Sequence, residues 1–227
     1  MKIKLHNDSF NKYIGFVLYT MLYLAVVSCE PWNETADASH VSESPMIEII
    51  GDEFESYIVV DSAEYTDDGA TASSSGESLV VSSFGEVDLT EVGVYLITYY
   101  AENKDGISST KNRVIAVTYE DVTKNDLTGE YEGTNWNPLT KMKVTRLHDK
   151  GYYKAEEALG FPDSEVSGTF VDLGQHELFL VQGDGEFGRY AGSFGEYTLS
   201  SLTWTIKLVD SPYNGLEIAV LWRKIFD

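Results

Sequence analysis

Residues 94–101 (VYLITYYA) fix the character of the fold. The run is short, dense in β-branched and aromatic side chains, and closed by Gly93 on one side and the turn Asn103-Lys104-Asp105-Gly106 on the other. A period of two sends Tyr95, Ile97, Tyr99 and Ala101 to one face and Val94, Leu96, Thr98 and Tyr100 to the other, the pattern of a strand. Residues 108–117 return from the turn as its hairpin partner. Earlier runs at 47–50, 57–60 and 78–81 are also strand-like and separated by Gly, Asp and Ser, and no stretch here sustains a helical period. Residues 45–119 therefore read as a small antiparallel sandwich.

After a charged joint at 120–126, a second set of short runs begins. Strand candidates are 131–134, 141–147, 151–155, 166–173, 177–182, 190–194, 202–209 and 216–222, with glycine-rich turns between them. In 203–209, Trp204, Ile206 and Leu208 share one face while Thr203, Thr205 and Lys207 share the other, as in a half-exposed antiparallel strand. Residues 121–227 are expected to form an antiparallel meander that curls into a barrel or sandwich, which makes the whole chain all-β.

The first thirty residues are of another kind. Lys2, Lys4 and Lys12 precede the uncharged run 13–27 (YIGFVLYTMLYLAVV), which ends at Ser28-Cys29. A basic segment, an apolar segment and a small residue at a cleavage point describe an export signal over residues 1–28. The run is too short to cross a hydrocarbon core of ~30 Å comfortably. Cys29 is the chain's one cysteine, so no intramolecular disulfide and no thiolate metal site is available. Leu24-Ala25-Val26-Val27-Ser28-Cys29 resembles a lipobox, with Val26 where leucine is commoner. That resemblance implies acylation of the Cys29 thiol and a lipid anchor in a membrane. Residues 29–44 are polar and acidic, the composition of a solvated tether. Glu30, Glu34 and Asp37 resemble the acidic signal by which Bacteroidota lipoproteins reach the outer cell surface. The expected location is thus the outer membrane facing outward, with a periplasm-facing anchor as the alternative.

Pro45-Met46-Ile47, the run 65–72 (YTDDGATA), Val87-Asp88, the run 92–101 (VGVYLITYYA), Asp105-Gly106 and Arg113-Val114 closely resemble the bacterial immunoglobulin-like domains repeated in surface proteins. The resemblance covers the whole first region and implies a spacer or binding module. Ser73-Ser74-Ser75 stands where such domains often carry acidic residues, so it implies no calcium-linked role. Asp61, Glu64, Asp67 and Asp68 could gather round a hard cation, but without a D-x-D-x-D-G loop they read as a solvated turn. The opening Leu127-Thr128-Gly129-Glu130-Tyr131-Glu132-Gly133, the turn at 149–153 (DKGYY) and the tryptophan-bearing closing hairpin look like the C-terminal β-domain of Bacteroidota surface lipoproteins, many of them encoded with glycan-import systems. That likeness implies a polysaccharide, or an outer-membrane glycan-import protein, as partner.

Charge narrows the partners further. Thirty-seven acidic against 16 basic residues give a net charge of −21, which repels phosphate backbones and anionic headgroups, so nucleic acid is not an expected partner. No G-x-S-x-G, no H-E-x-x-H and no phosphate loop occurs; 183–188 (GDGEFG) is acidic, lacks lysine and reads as a turn. No cofactor and no catalytic residue is assigned. A small glycoside hydrolase, needing only two carboxylates ~5–9.5 Å apart, is the least favoured class.

Aromatic residues in or beside the expected loops are the functional lead: Trp136 flanked by Asn135 and Asn137, then Tyr152, Tyr153 and Tyr190, with Tyr197 and Tyr213 further along. Such rings stack on sugar faces while amides bond hydroxyls, although most rings in a β protein serve its core. The expectation is a non-enzymatic surface binding module for glycan with the first domain as spacer. An adhesion or structural envelope protein contacting other proteins is the alternative.

Overall fold

The computed structural model describes residues 42–134, 140–161, 164, 166–210 and 212–226. Cys29, Asn135, Trp136 and Asn137, and with them the leader and most of the tether, lie outside the described residues. Residues 43–227 form one compact unit. Among the described residues there are strands and turns and no helix.

The first module is a sandwich of two sheets. One consists of β1 (Met46–Ile49), β3 (Ala70–Ser74) and β4 (Glu77–Leu79) in the order β1-β3-β4. The other holds β2 (Phe54–Ile58), β5 (Ser82–Phe84), β6 (Gly93–Glu102) and β7 (Ser108–Thr118) in the order β2-β7-β6-β5. The expected hairpin is β6-β7, paired from Gly93↔Val117 to Glu102↔Ser108. The sandwich is not wholly antiparallel, because the chain changes sheet between β1 and β2, and β2 then runs parallel to β7 from Phe54↔Val114 to Ile58↔Thr118. Ile47, Ala72, Ile97, Tyr99, Ala101 and Ile115 are buried between the sheets.

Arg113 sits inside this apolar layer, 0% exposed. A guanidinium there is tolerable only when paired. Nη1 lies 2.8 Å from Glu55 and 3.1 Å from Asp67, Nη2 donates to the Ile50 carbonyl, and the Tyr99 hydroxyl donates to Asp67 at 2.6 Å. Asp67, weighed above as a cation ligand, is therefore committed to Arg113 and Tyr99.

The second module is a closed barrel. Its staves are β8 (Gly129–Gly133), β9 (Lys141–His148), β10 (Tyr152–Ala155), β11 (Gly168–Gly174), β12 (Glu177–Leu180), β15 (Ser193–Tyr197), β16 (Ser201–Leu208) and β17 (Glu217–Lys224). Neighbours in that order pair antiparallel, and β17 closes the ring by pairing with both β16 and β8. Eight strands enclose an interior that side chains can fill. Tyr131, Tyr153, Phe170, Trp204 and Trp222 fill it, none more than 2% exposed. The segment expected as one strand at 190–194 is two: β14 (Gly188–Ala191) and β15 part at Gly192, and β14 pairs with the far end of β16. Residues 183–188, expected as a turn, form a small hairpin of β13 (Gly183–Gly185) with β14.

The two modules share an apolar seam. Period two sends Phe170 into the barrel and Val171 and Leu173 out of it, and these outward residues meet Phe54, Val114 and Ala116 of the sandwich. Burying each of these side chains other than Ala116 contributes about 1.5–3 kcal/mol. The charged joint is packed as well: Val122 and Leu127 are buried, the Tyr119 amide donates to the Leu173 carbonyl at 2.8 Å, and the Gln175 amide donates to the Glu120 carboxylate at 3.0 Å. The first module is thus docked on the barrel wall.

Candidate functional site

Of the tyrosines expected to bind ligand, the structure takes three out of contention. Tyr152 and Tyr153 are neighbours on β10, so they face opposite ways and cannot share a patch. Tyr152 points into the seam, its ring stacked on Phe54 at 4.6 Å. Tyr153 points into the barrel, 0% exposed, its hydroxyl donating to the Asn125 carbonyl at 3.0 Å. Tyr190 is also core, and burial pushes its phenol up to about 12. Tyr197 borders the barrel mouth near Asn125, which donates to it at 3.0 Å. Tyr213 alone is substantially exposed, edge-on to Phe187 at 5.8 Å.

The barrel buries two carboxylates. Asp172 is 0% exposed; burial raises its pKa, while the Gly174 amide and Asn125 side chain donate to it. Glu157 is raised by burial too, and its Oε1 accepts the amides of Leu159 and Gly160 at 2.9 and 3.1 Å. Asp172 lies late in β11, whereas Glu157 follows β10 at the end where β11 begins, so the two occupy opposite ends of the barrel. They do not face each other across a cleft.

A concave site does exist, and both modules build it. Where β5 and β6 approach the exit of β12, the surface opens into a groove of about 580 Å³. Phe84 ends β5, the edge strand of its sheet, and is 61% exposed. On β6, Val94, Leu96 and Thr98 share its face and line the groove, while Tyr95 turns its ring to the sandwich core, its hydroxyl donating to the Glu91 carbonyl at 2.9 Å. Phe179 closes the barrel side, with the exposed ring of Phe194 edge-on to it at 5.0 Å. Within each module a glycine lets a groove wall pack closely. A Cβ on Gly85 would collide with the Leu96 carbonyl, and one on Gly192 would come within 2.7 Å of the Phe179 ring.

Polar groups stand at intervals along the groove. Glu86 and Gln182 line it, and Thr98, whose hydroxyl donates to Asn112 at 2.8 Å, connects it to a smaller hollow of about 220 Å³ holding Asn112, Asp184 and Arg189. Arg189 is committed to Asp210, 2.8 Å away. Among the described residues, Glu86 is the one carboxylate lining the groove. Ring faces with a few spaced amide and carboxylate groups suit a ligand with apolar faces and many hydroxyls. Local sequence could not reveal this site, because its walls come from residues about a hundred positions apart.

Residues 47–117 match the family model of the bacterial surface protein Ig-like domain. The Ig-like domain so matched coincides with the sandwich, from β1 to the end of β7. Solved structures similar to the chain include a lipoprotein of Bacteroides thetaiotaomicron, 18% identical, covering 80% of this chain and 100% of its own at a TM-score of 0.34. The M60 catalytic domain of Clostridium perfringens ZmpB with its two CBM51 domains is 12% identical, and the match covers 81% of this chain and 21% of that one at a TM-score of 0.28. No curated protein matches the chain.

Proposed function

We propose that the protein is a non-enzymatic cell-surface lipoprotein, anchored through Cys29, whose Ig-like domain and barrel together bind a glycan in the groove between them. One observation supports this above the others: Phe84, 61% exposed, and Phe179 line a concave surface shared by both modules. Exposed rings on a concavity mark binding surfaces, since water offers nothing for an apolar face to gain. The Ig-like domain is then a wall of the site as well as a spacer. The match of residues 47–117 to a bacterial surface domain supports the location, and the lipobox supports the anchor. Binding without chemistry is favoured because a glycosidase needs two carboxylates and the groove offers Glu86.

The chain from Glu30 onward, run by affinity electrophoresis through gels containing laminarin, xylan, galactomannan or pullulan, tests this reading. Retardation by at least one polysaccharide, weakened by Phe84→Ala, is expected. Unaltered migration in all of them would overturn it.

A protein partner is the second reading. It is favoured by the exposed apolar residues beside edge strand β5, Val80 at 87% and Phe84 at 61%. An envelope protein captured by the wild type and lost with Val80→Glu, together with no polysaccharide retention, would select it.

A further inference from the structure

Beside the groove, the outer barrel wall dips into a second, shallower depression of about 630 Å³ across β12, β15, β16 and β17. Strand register gives its layout. Glu177 on β12 lies directly opposite Glu196 on β15, Glu196 opposite Thr203 on β16, and Thr203 opposite Leu221 on β17. Two residues along, on the same face, Phe194 lies opposite Phe179. The small outward residues Thr203, Thr205 and Ala219 keep the wall concave.

Two features of this face cost stability in the fold. Like charges directly opposite one another on paired strands destabilise a sheet. Glu177 and Glu196 are such a pair, and among the described residues neither has a lysine or arginine partner; Glu177 accepts the Tyr119 hydroxyl at 3.2 Å. Phe194 meanwhile keeps 57% of its surface in water, although it packs edge-on against Phe179. Carboxylate oxygens without a cationic partner beside an exposed ring are what a sugar satisfies, its hydroxyls donating while its apolar face covers the ring.

We propose that this depression is a second sugar subsite, continuous with the groove over the Phe179–Phe194 ridge, so that the ligand is an extended uncharged polysaccharide bound along its length. The proposal rests on the glycan reading of the groove. Charge selects the occupant: with −21 on the chain and Glu86, Glu177 and Glu196 along the path, a uronate or sulfated chain would be repelled. Length selects it too. From β12 to β17 are three strand spacings, roughly 14 Å, before the groove itself is added, which is more than one sugar ring can cover.

The experiment is isothermal titration of the chain from Glu30 onward with oligosaccharides, from disaccharide to octasaccharide, of whichever test polysaccharide the gels retain. Affinity should rise with length and then level off. Phe194→Ala should remove the rise while leaving the shortest ligand bound as before, whereas Phe84→Ala should weaken every length. Glu196→Gln should lower affinity for the long ligands about tenfold while raising the melting temperature, because it relieves the repulsion from Glu177; a purely structural glutamate would move only the second quantity. Length-independent affinity with Phe194→Ala indistinguishable from wild type would overturn the second subsite and leave the groove intact. Tighter binding of alginate than of any neutral chain would overturn the uncharged ligand. Retention of no polysaccharide would overturn the proposal together with the reading beneath it.

Discussion

The rings of Phe54 and Tyr152 lie face to face, their centroids 4.6 Å apart and their planes 4° from parallel. One comes from an edge strand of the sandwich and the other from the barrel wall, so this pair joins the two modules at the centre of the seam. The groove exists only while the seam holds.

Phe54→Ala should therefore act on both modules. Phe54 is 5% exposed, and truncating a buried phenylalanine costs about 3–5 kcal/mol. Urea unfolding followed separately by tryptophan fluorescence, which reports the barrel through Trp204 and Trp222, and by far-ultraviolet dichroism should show one shared transition in the wild type. In the variant the midpoint should fall and the two probes should separate.

Arg113 predicts a large loss confined to the sandwich. Arg113→Ala would leave Glu55 and Asp67 facing each other without their cation, at a cost of about 3–5 kcal/mol. Arg113→Lys, which keeps the charge but cannot reach the carboxylates and the Ile50 carbonyl at once, should recover part of it. The urea midpoint of each variant is the measurement.

Buried tyrosines set the alkaline limit of stability. Burial holds the phenol of Tyr190 at about 12 and raises that of Tyr153, so in the fold both stay protonated where the unfolded chain has begun to ionise. Folded values above the unfolded ones mean that the stability is fully present below the unfolded value of about 10 and is lost as pH rises towards 12. Tyr190→Phe should flatten part of that decline, read as the melting temperature against pH.

Glu157 predicts the opposite engineering result. Its carboxylate is 5% exposed and raised by burial, so the protein loses stability as pH climbs from about 4 and the group is forced to ionise. Glu157→Gln keeps the acceptor for the Leu159 and Gly160 amides and removes the charge. Its urea midpoint should exceed that of the wild type at pH 7, with the gap narrowing towards pH 4.

Much of the fold was legible in the sequence, and the reason is the period of two. The alternations at 94–101 and 203–209 put Ile97 with Tyr99 and Trp204 with Ile206 on shared faces, and those are the faces the structure buries. Strands β3 and β5 escaped notice because Ala70–Ser74 and Ser82–Phe84 are short and rich in small polar residues, held by their neighbours rather than by propensity. The site was less legible. Tyr152, Tyr153 and Tyr190 fall within expected strands at 151–155 and 190–194 but beside turns, and docking of the modules and closure of the barrel bury what the turns nearby suggested was exposed. Phe84 and Phe179 gain a functional meaning only from the docking of the modules, and no run of local sequence encodes that contact.

The central claim is that a glycan lies in the groove between the modules. Saturation-transfer NMR on a polysaccharide mixed with the chain from Glu30 onward tests it most directly. The account predicts transfer to ring protons of the sugar that Phe84→Ala reduces about tenfold at unchanged melting temperature, and that Tyr213→Ala, which does not line the groove, leaves alone. Equal transfer in wild type and Phe84→Ala, or loss of transfer with Tyr213→Ala, would contradict it.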